Sequence, residues 1–465
     1  MFLNIDLHKK DDIAIIDDSG KSLTFEELIV QSRKIFELIN KRTLIFILTD
    51  NSIESFVTFY SCIENKIVPL LLSSNTNSEL LNNLYLKYKP EYVFKINTCE
   101  WQPQNENFII SNIENNFHLI KTNNSSTILH EELSFLLPTS GSTGSPKLVR
   151  HSYKNLEFSA KSVSTLFKID TSHCAIAFLP MYYTMGLSVI LSHLSAGAKV
   201  VLTNLSLTDR LFWNLMKDKK ITTFTGVPYS FELLDKLRFY RMNLPDLKII
   251  TQGGGKLKDE LFLKYAQLAT EKSIQFIPTY GQTEGTARMA YLESSMTKIK
   301  TGSIGKAIPN GYLGVIDDNG VEILASEAQG EMIYRGENVT LGYAENTTDL
   351  EKGDDNNGLL ITGDIIKRDS EGYYFIIGRK KRFLKIYGYR ISLDEIEMLI
   401  KNKYGFDCIC AGNDEELIIK IEQVDLAENI INFISEKTNL FHQCIKIQKL
   451  DSLLRNEAGK VILNN

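Results

Sequence analysis

The sequence predicts an α/β protein, with a large N-terminal domain on mainly parallel sheet and a small α+β domain at its C-terminus. Three observations lead there. Up to about residue 280, short β-rich runs alternate with helical segments, the order that builds parallel sheets. Between 302 and 378 glycines become frequent and short strands dominate, which marks a small β-rich subdomain. After the basic run at 379–382 comes a last segment of roughly eighty residues with helical and strand patterns of its own.

Taken in order, residues 22–40 read as an amphipathic helix. Leu23, Phe25, Leu28, Ile29 and Ile35 share a face, and Thr24 stands as N-cap before Glu26 and Glu27. Strands are expected at 43–48, 67–72, 92–96, 175–179, 199–202, 222–225, 248–251 and 275–280. In the β-rich stretch they are expected at 311–316, 330–334 and 373–377, and Asn-rich patches such as 115–124 read as surface loops.

The 465 residues, 43% hydrophobic, suffice for a large core and for two or more domains. A net charge of −5 gives no electrostatic basis for binding nucleic acid or an anionic membrane. The six cysteines show neither a disulfide framework nor metal-ligand spacing, and Cys408-x-Cys410 lacks the gap of a redox or zinc motif. They read as reduced, mostly buried thiols. Met1–Asp12 carries charges where a secretory signal has an apolar core, and the apolar run 174–191 is broken by Pro180. A soluble, cytoplasmic protein without stable membrane insertion is expected.

The strongest local signal is LPTSGSTGSPK at 137–147. Its glycines let backbone amides approach phosphate oxygens, its hydroxyls donate hydrogen bonds, and Lys147 adds charge. It is not a Walker loop, because Pro146 stands where that spacing needs glycine. Alone it reads equally as a Ser/Gly-rich solvent loop. It has companions, however: YGQTEG at 280–285 follows a strand and carries a carboxylate, and LITGD at 360–364 sets another on a tight turn. GRKKRFLK (378–385) and GYRI (388–391) follow at the apparent domain border, and RNEAGK (455–460) lies near the C-terminus.

Together with GSIGKAIP (302–309) and GEMIYRG (330–336), and with 378–391 taken as one, these seven motifs stand in the order of the adenylate-forming superfamily. The chain resembles that superfamily of acyl-CoA synthetases, peptide-synthetase adenylation domains and luciferases over nearly its whole length. The resemblance implies a first domain at 1–380, with 302–378 as its β-rich subdomain, and a mobile domain at 381–465. It implies ATP and Mg²⁺ as cofactors. Thr139, Ser140, Gly141, Ser142, Thr143, Gly144 and Lys147 would hold the β- and γ-phosphates. Glu284 would ligate Mg²⁺, a hard cation suited to carboxylate oxygen. Thr283 would touch the α-phosphate, and Tyr280 would pack near the adenine beside Gly253, Gly254 and Gly255, with Gly281 and Gln282 in the same site. Asp364 would accept both ribose hydroxyls, in bonds worth roughly 1.5–3 kcal/mol each, with Arg379 beside it. Lys460 would bridge the carboxylate and the α-phosphate as pyrophosphate departs. Lys381 is the implied hinge, and Lys385 the lysine of the thiolation posture; for Lys380 and Arg382 a solvated linker is the alternative reading.

Departures from the family pattern are informative. Leu148 replaces a glycine and Tyr153 a histidine, neither expected to touch phosphate. In LPMYYTMGL (179–187), Tyr183 stands in the region where amino-acid-activating relatives carry aspartate, and an unpaired substrate ammonium there would be costly. The acyl pocket is expected from Tyr183, Gly226, Val227, Gly253 and Met289, with Met289 reading equally as core. The C-terminal segment is short, and its lysines 401, 403, 446 and 449 are interspersed with acids, leaving modest room to grip the nucleotide end of CoA.

The expected activity is ATP-dependent activation of a small carboxylic acid as acyl-AMP, then transfer to a thiol. That thiol belongs to CoA or, as in compact bacterial ligases, to a phosphopantetheinylated carrier protein. The rivals are an amino-acid-activating enzyme, an adenylating enzyme with an amine or oxygen acceptor, and a nucleotide-binding pseudo-enzyme. Retention of Glu284, Asp364, Arg379 and Lys460 speaks against the last.

Overall fold

The computed structural model describes residues 2–103, 109–113, 116–138, 147–386, 389–413, 415–438, 440–455 and 461, with the backbone alone at 109, 110, 112, 113, 381, 383, 385, 389 and 390. Among these residues, two large sheets dominate. The nine-stranded one has parallel strands in its middle, in spatial order Ile13–Asp17, Lys199–Leu202, Cys174–Ala177, Thr223–Gly226, Ile249–Gln252 and Gln275–Tyr280, with antiparallel edges. The eight-stranded one centres on parallel strands Tyr92–Ile96, Leu44–Thr49, Val68–Ser73 and Leu133–Pro138.

Period-2 alternation explains the layering. Strand Leu44–Thr49 sends Ile45 and Ile47 into the core between the sheets, and Leu44, Phe46 and Leu48 into a second core on the outer face. The inner core also takes Leu28 and Ile35 of helix Phe25–Ile39, Phe56 and Tyr60 of helix Ile53–Glu64, Leu156 of helix Tyr153–Leu166 and Leu187 of helix Thr184–Ser195. Helices therefore fill the space between the two sheets. No helix among the described residues is long and apolar enough to cross a membrane, and all six cysteines are buried and free.

The expected strands fall within a residue or two of their predicted places, and three readings change. The helix expected at 22–40 begins only at Phe25, because Ser22–Thr24 pairs with Ile13–Asp17; Thr24 then caps it in a reciprocal box with Glu27. The Asn-rich stretch is not all loop: Phe117–Lys121 pairs with Tyr92–Ile96 and buries Phe117, Leu119 and Ile120. The turn expected at 360–364 lies inside strand Leu359–Arg368 of a four-stranded antiparallel sheet. Gly363 at φ +73° kinks it without ending it, since Ala328–Arg335 and Tyr374–Arg379 pair on either side.

The C-terminal domain has a core of its own, from Leu384 to Ile445. Helices Leu393–Tyr404 and Ala427–Thr438 pack there against a sheet of Ile409–Gly412, Leu417–Ile421 and Ile445–Lys449.

Candidate active site

Strands Ile249–Gln252 and Gln275–Tyr280 are neighbours, and their carboxyl ends open into a cleft of about 620 Å³. That is where open parallel sheets place ligands. The large domain contributes Gly254, Gly255, Tyr280, Gly281, Gln282, Asp364 and Arg379 to its walls, and the small one Arg382, Asp394, Glu397 and Lys401.

Asp364 is the hub of this cleft. The kink at Gly363 delivers it there, only 2% exposed. Its Oδ2 accepts from the Tyr280 hydroxyl and from Gln282 Nε2 at 2.9 Å, and its Oδ1 from Arg379 Nε at 3.2 Å. Burial, then the Asp364 charge, raises the Tyr280 phenol well above its ordinary pKa, so it stays a donor. The Arg379 guanidinium remains largely exposed, free to turn toward an anion. Four residues predicted for nucleotide binding, from three separate segments of the sequence, thus share one hydrogen-bonded cluster.

A second corner forms on the loop after Tyr280. Gly281 admits no other residue, because a Cβ there would overlap the Ala287 carbonyl. Thr286 and Ala287 hold positive φ in succession, a strained conformation for side-chain-bearing residues. Asn338 supports it, donating through Nδ2 to the carbonyls of Gly285 at 2.7 Å and Arg288 at 3.1 Å. Glu284, in the 3₁₀ turn Thr283–Gly285, accepts from the Tyr343 hydroxyl at 2.8 Å. Lys147 Nζ lies 5.8 Å from the centre of the Tyr343 ring and pairs with Glu345. Buried Arg150 fixes this segment by donating to the carbonyls of Tyr343 at 3.0 Å and Leu341 at 2.7 Å and to Asp355. Tyr343, Asn338 and Arg150 escape the sequence reading, since no local motif marks them and their partners lie far along the chain.

The acyl-pocket residues divide. Val227 packs with Leu179 and Met185, and a Cβ on Gly253 would meet Met185 and Thr279. Gly226 ends the neighbouring strand, and Tyr183 caps helix Thr184–Ser195 with its ring 4.8 Å from that of Tyr182. Met289 does not join them. It is fully buried beneath Gly285, in the core of the β-rich subdomain, which is its alternative reading. Thr139, Ser140, Gly141, Ser142, Thr143, Gly144 and Lys460 lie outside the described residues, as do the side chains of Lys381 and Lys385.

The AMP-binding enzyme family matches residues 5–344. The chain belongs to that family. Among its relatives, the luciferin 4-monooxygenase of Photuris pensylvanica is 27% identical over 416 residues, 84% of this chain and 74% of the relative. The 2-succinylbenzoate–CoA ligase of Bacillus cereus is 27% identical over 342 residues, 71% and 69% of the two chains. In fold, the chain is similar to the o-succinylbenzoate coenzyme A synthetase of Bacillus subtilis in complex with AMP. The TM-score is 0.78 at 20% identity, over 98% of this chain and 95% of that one.

In this AMP-binding enzyme the basic run 379–382 straddles the border between the two cores. Lys380 Nζ lies 2.6 Å from Glu331 on strand Ala328–Arg335. Arg382 instead pairs with Asp394 at 2.7 Å and Glu397 at 2.6 Å in the small domain. Burial raises both carboxyls, Asp394 and Glu397, against the pull of Arg382. Across the cleft, Lys401 pairs with Glu232 of the large domain and with Asp407 at 2.9 Å, and Arg455 lies 5.5 Å from the centre of the Tyr229 ring.

Proposed function

We infer that this enzyme joins a carboxylic acid to a thiol in two steps at one cleft. In the first, a carboxylate oxygen attacks the α-phosphorus of ATP, the bond to the β-phosphate breaks, and pyrophosphate leaves. In the second, a thiol sulfur attacks the acyl carbon and AMP departs with its electron pair. The observation that carries the reading is the cluster of Asp364, Tyr280, Gln282 and Arg379 at the strand ends. A carboxylate that accepts from three donors while facing a cleft suits the paired hydroxyls of a ribose.

The assignment of roles follows the family resemblance, and the geometry of the cleft accords with it. Asp364 and Arg379 hold the ribose, Tyr280 and the turn at 253–255 flank the adenine, and Thr283 reaches the α-phosphate. The residues present fit Mg²⁺: Glu284 offers one oriented carboxylate, and no group of three His, Cys, Asp or Glu among the described residues is placed to hold a metal ion. A single carboxylate suits a cation that arrives with the ATP phosphates, where it would neutralise their charge. The loop 139–147 wraps the β- and γ-phosphates, and Lys460 stabilises the charge that develops on the α-phosphate. The domain border falls at 380/381. Lys380 is tied to one side and Arg382 to the other, which supports Lys381 as the hinge that swings Lys460 out and Lys385 in.

The thiol is that of CoA or of phosphopantetheine. CoA accords with the 2-succinylbenzoate–CoA ligases among the relatives. A carrier protein accords with the small domain's committed cations, since Lys446 pairs with Glu416 and Lys401 with Glu232 and Asp407.

Pyrophosphate release across a panel of carboxylic acids, followed by AMP release with and without thiol, tests the reading. At least one acid is expected to release pyrophosphate, and AMP release is expected to need the thiol. AMP freed equally without thiol would instead favour an oxygen or amine acceptor, as the luciferin monooxygenase relatives would suggest.

A further inference from the structure

Arg288 is 1% exposed, and among the described residues its guanidinium hydrogen bonds go to hydroxyls, not to a carboxylate. Its Nη1 donates to Ser188 Oγ at 3.0 Å and its Nη2 reaches Thr251 Oγ1 at 3.5 Å. The guanidinium carbon stands 5.1 Å from the centre of the Phe167 ring, and Nε has no partner. Two hydroxyls and a ring face are poor return for desolvating a charge. Burial lowers its pKa only to about 10, so Arg288 remains a cation at neutral pH.

Its place explains what the charge is for. Thr251 lies on strand Ile249–Gln252, two residues before Gly253 just past its end, hence about 6–7 Å deeper. Ser188 lies one helical turn beyond Thr184 and Met185. Ser188 also lines a cavity of about 10 Å³ with Thr184, Leu187 and Ala287, room for little more than one water. Met185 lies against Gly253, next to Gly254 and Gly255 of the cleft wall, and its unbranched side chain can change rotamer to admit a ligand toward this cation.

Resting on the reading of acid activation above, we propose that Arg288 and Ser188 form the inner end of the acid site and bind a second carboxylate of the substrate. The preferred acid is then a dicarboxylate, its far carboxylate accepting from the guanidinium and from the Ser188 hydroxyl. The same charge repels a substrate ammonium, consistent with Tyr183 standing where amino-acid-activating relatives carry aspartate.

The test uses the full chain with ATP and Mg²⁺ and matched pairs of acids, adipate against hexanoate and pimelate against heptanoate. Wild-type enzyme is expected to favour the diacid at least tenfold in kcat/KM for pyrophosphate release. Ser188→Asp supplies an internal carboxylate to Arg288 and is expected to cancel or reverse that preference with the KM for ATP unchanged. Arg288→Lys, which keeps the charge and loses the fork, is expected to fall between them. The rise in Tm with each acid and AMP gives a second readout, and the diacid is expected to raise it more. A wild-type preference for the monoacids, or a ratio untouched by Ser188→Asp in an enzyme that still turns over, overturns the proposal alone. Absence of pyrophosphate release with every acid would count against acid activation itself, and the Tm comparison would still decide between the acids.

Discussion

A single tyrosine, Tyr343, stands between Glu284 and Lys147, the two groups proposed to face the phosphate chain. Its hydroxyl donates to Glu284 while Lys147 lies near its ring, so one side chain orients the carboxylate and borders the cation. Burial, with the Glu284 charge behind it, raises the phenol's pKa and keeps the proton on oxygen. If Glu284 holds Mg²⁺, Tyr343→Phe frees the carboxylate to rotate at the cost of one charge-assisted hydrogen bond. The expected result is a roughly tenfold weaker apparent affinity for Mg²⁺, about 1.4 kcal/mol, with little change in the KM for the acid. Titrating Mg²⁺ against bound fluorescent ATP analogue reads this directly, and an unchanged midpoint would remove Tyr343 from the positioning role. Asp364, Tyr280 and Gln282 were legible because each sits in a short run with a mechanism attached. Tyr343 was not, because Glu284 lies 59 residues away and Lys147 farther still: the Thr340 amide bonds the Glu284 carbonyl, and Tyr343–Ala344 pairs with Leu148 and Val149 beside Lys147.

At the level of elements, the parallel strands were legible because burial on both faces demands continuous apolar runs, as in Leu44–Thr49 and Val68–Ser73. Strand Leu359–Arg368 was not, because a Thr-Gly-Asp run punctuates it and signals a turn when the flanking strands are unseen. The junction at 380–382 follows the same logic. For its basic residues a solvated linker is the alternative reading until their partners appear on opposite sides of the border. Proline at the residue between them fixes φ near −65° and removes an N–H. Lys381→Pro is therefore expected to hold the hinge in one posture, with near-normal pyrophosphate exchange and overall thioester formation slowed at least tenfold. Stopped-time assays of each half-reaction check it, and two intact steps would move the hinge elsewhere.

Over the whole molecule, the layer between the two large sheets is largely apolar, and two histidines buried there contribute to the response to acid. His151 stacks on Phe135 at 4.2 Å and contacts Thr286 Oγ1 at 3.2 Å; His193 is bonded to the Val189 carbonyl at 2.9 Å. Burial lowers both pKa values to about 3. Both side chains are therefore neutral in the folded enzyme and protonate on unfolding below their ordinary value of about 6.5. Between those values the unfolded chain binds more protons, so stability rises with pH and falls on acidification. Each histidine contributes a slope of about 1.4 kcal/mol per pH unit across that window, and none above it. Urea midpoints at pH 5.0, 6.0 and 7.5 are expected to drop steeply below pH 6.5, and His193→Leu is expected to remove about half of the histidine-linked slope. A slope unaltered by that substitution would mean other groups govern the acid limb. His151 touches Thr286 on the strained loop that carries Glu284, so a local opening that hydrates His151 lets it protonate near its ordinary value and frees that loop before the whole fold is lost. Activity is accordingly expected to fall at a higher pH than the loss of far-UV circular dichroism, and coincident curves would show that loop and fold fail together.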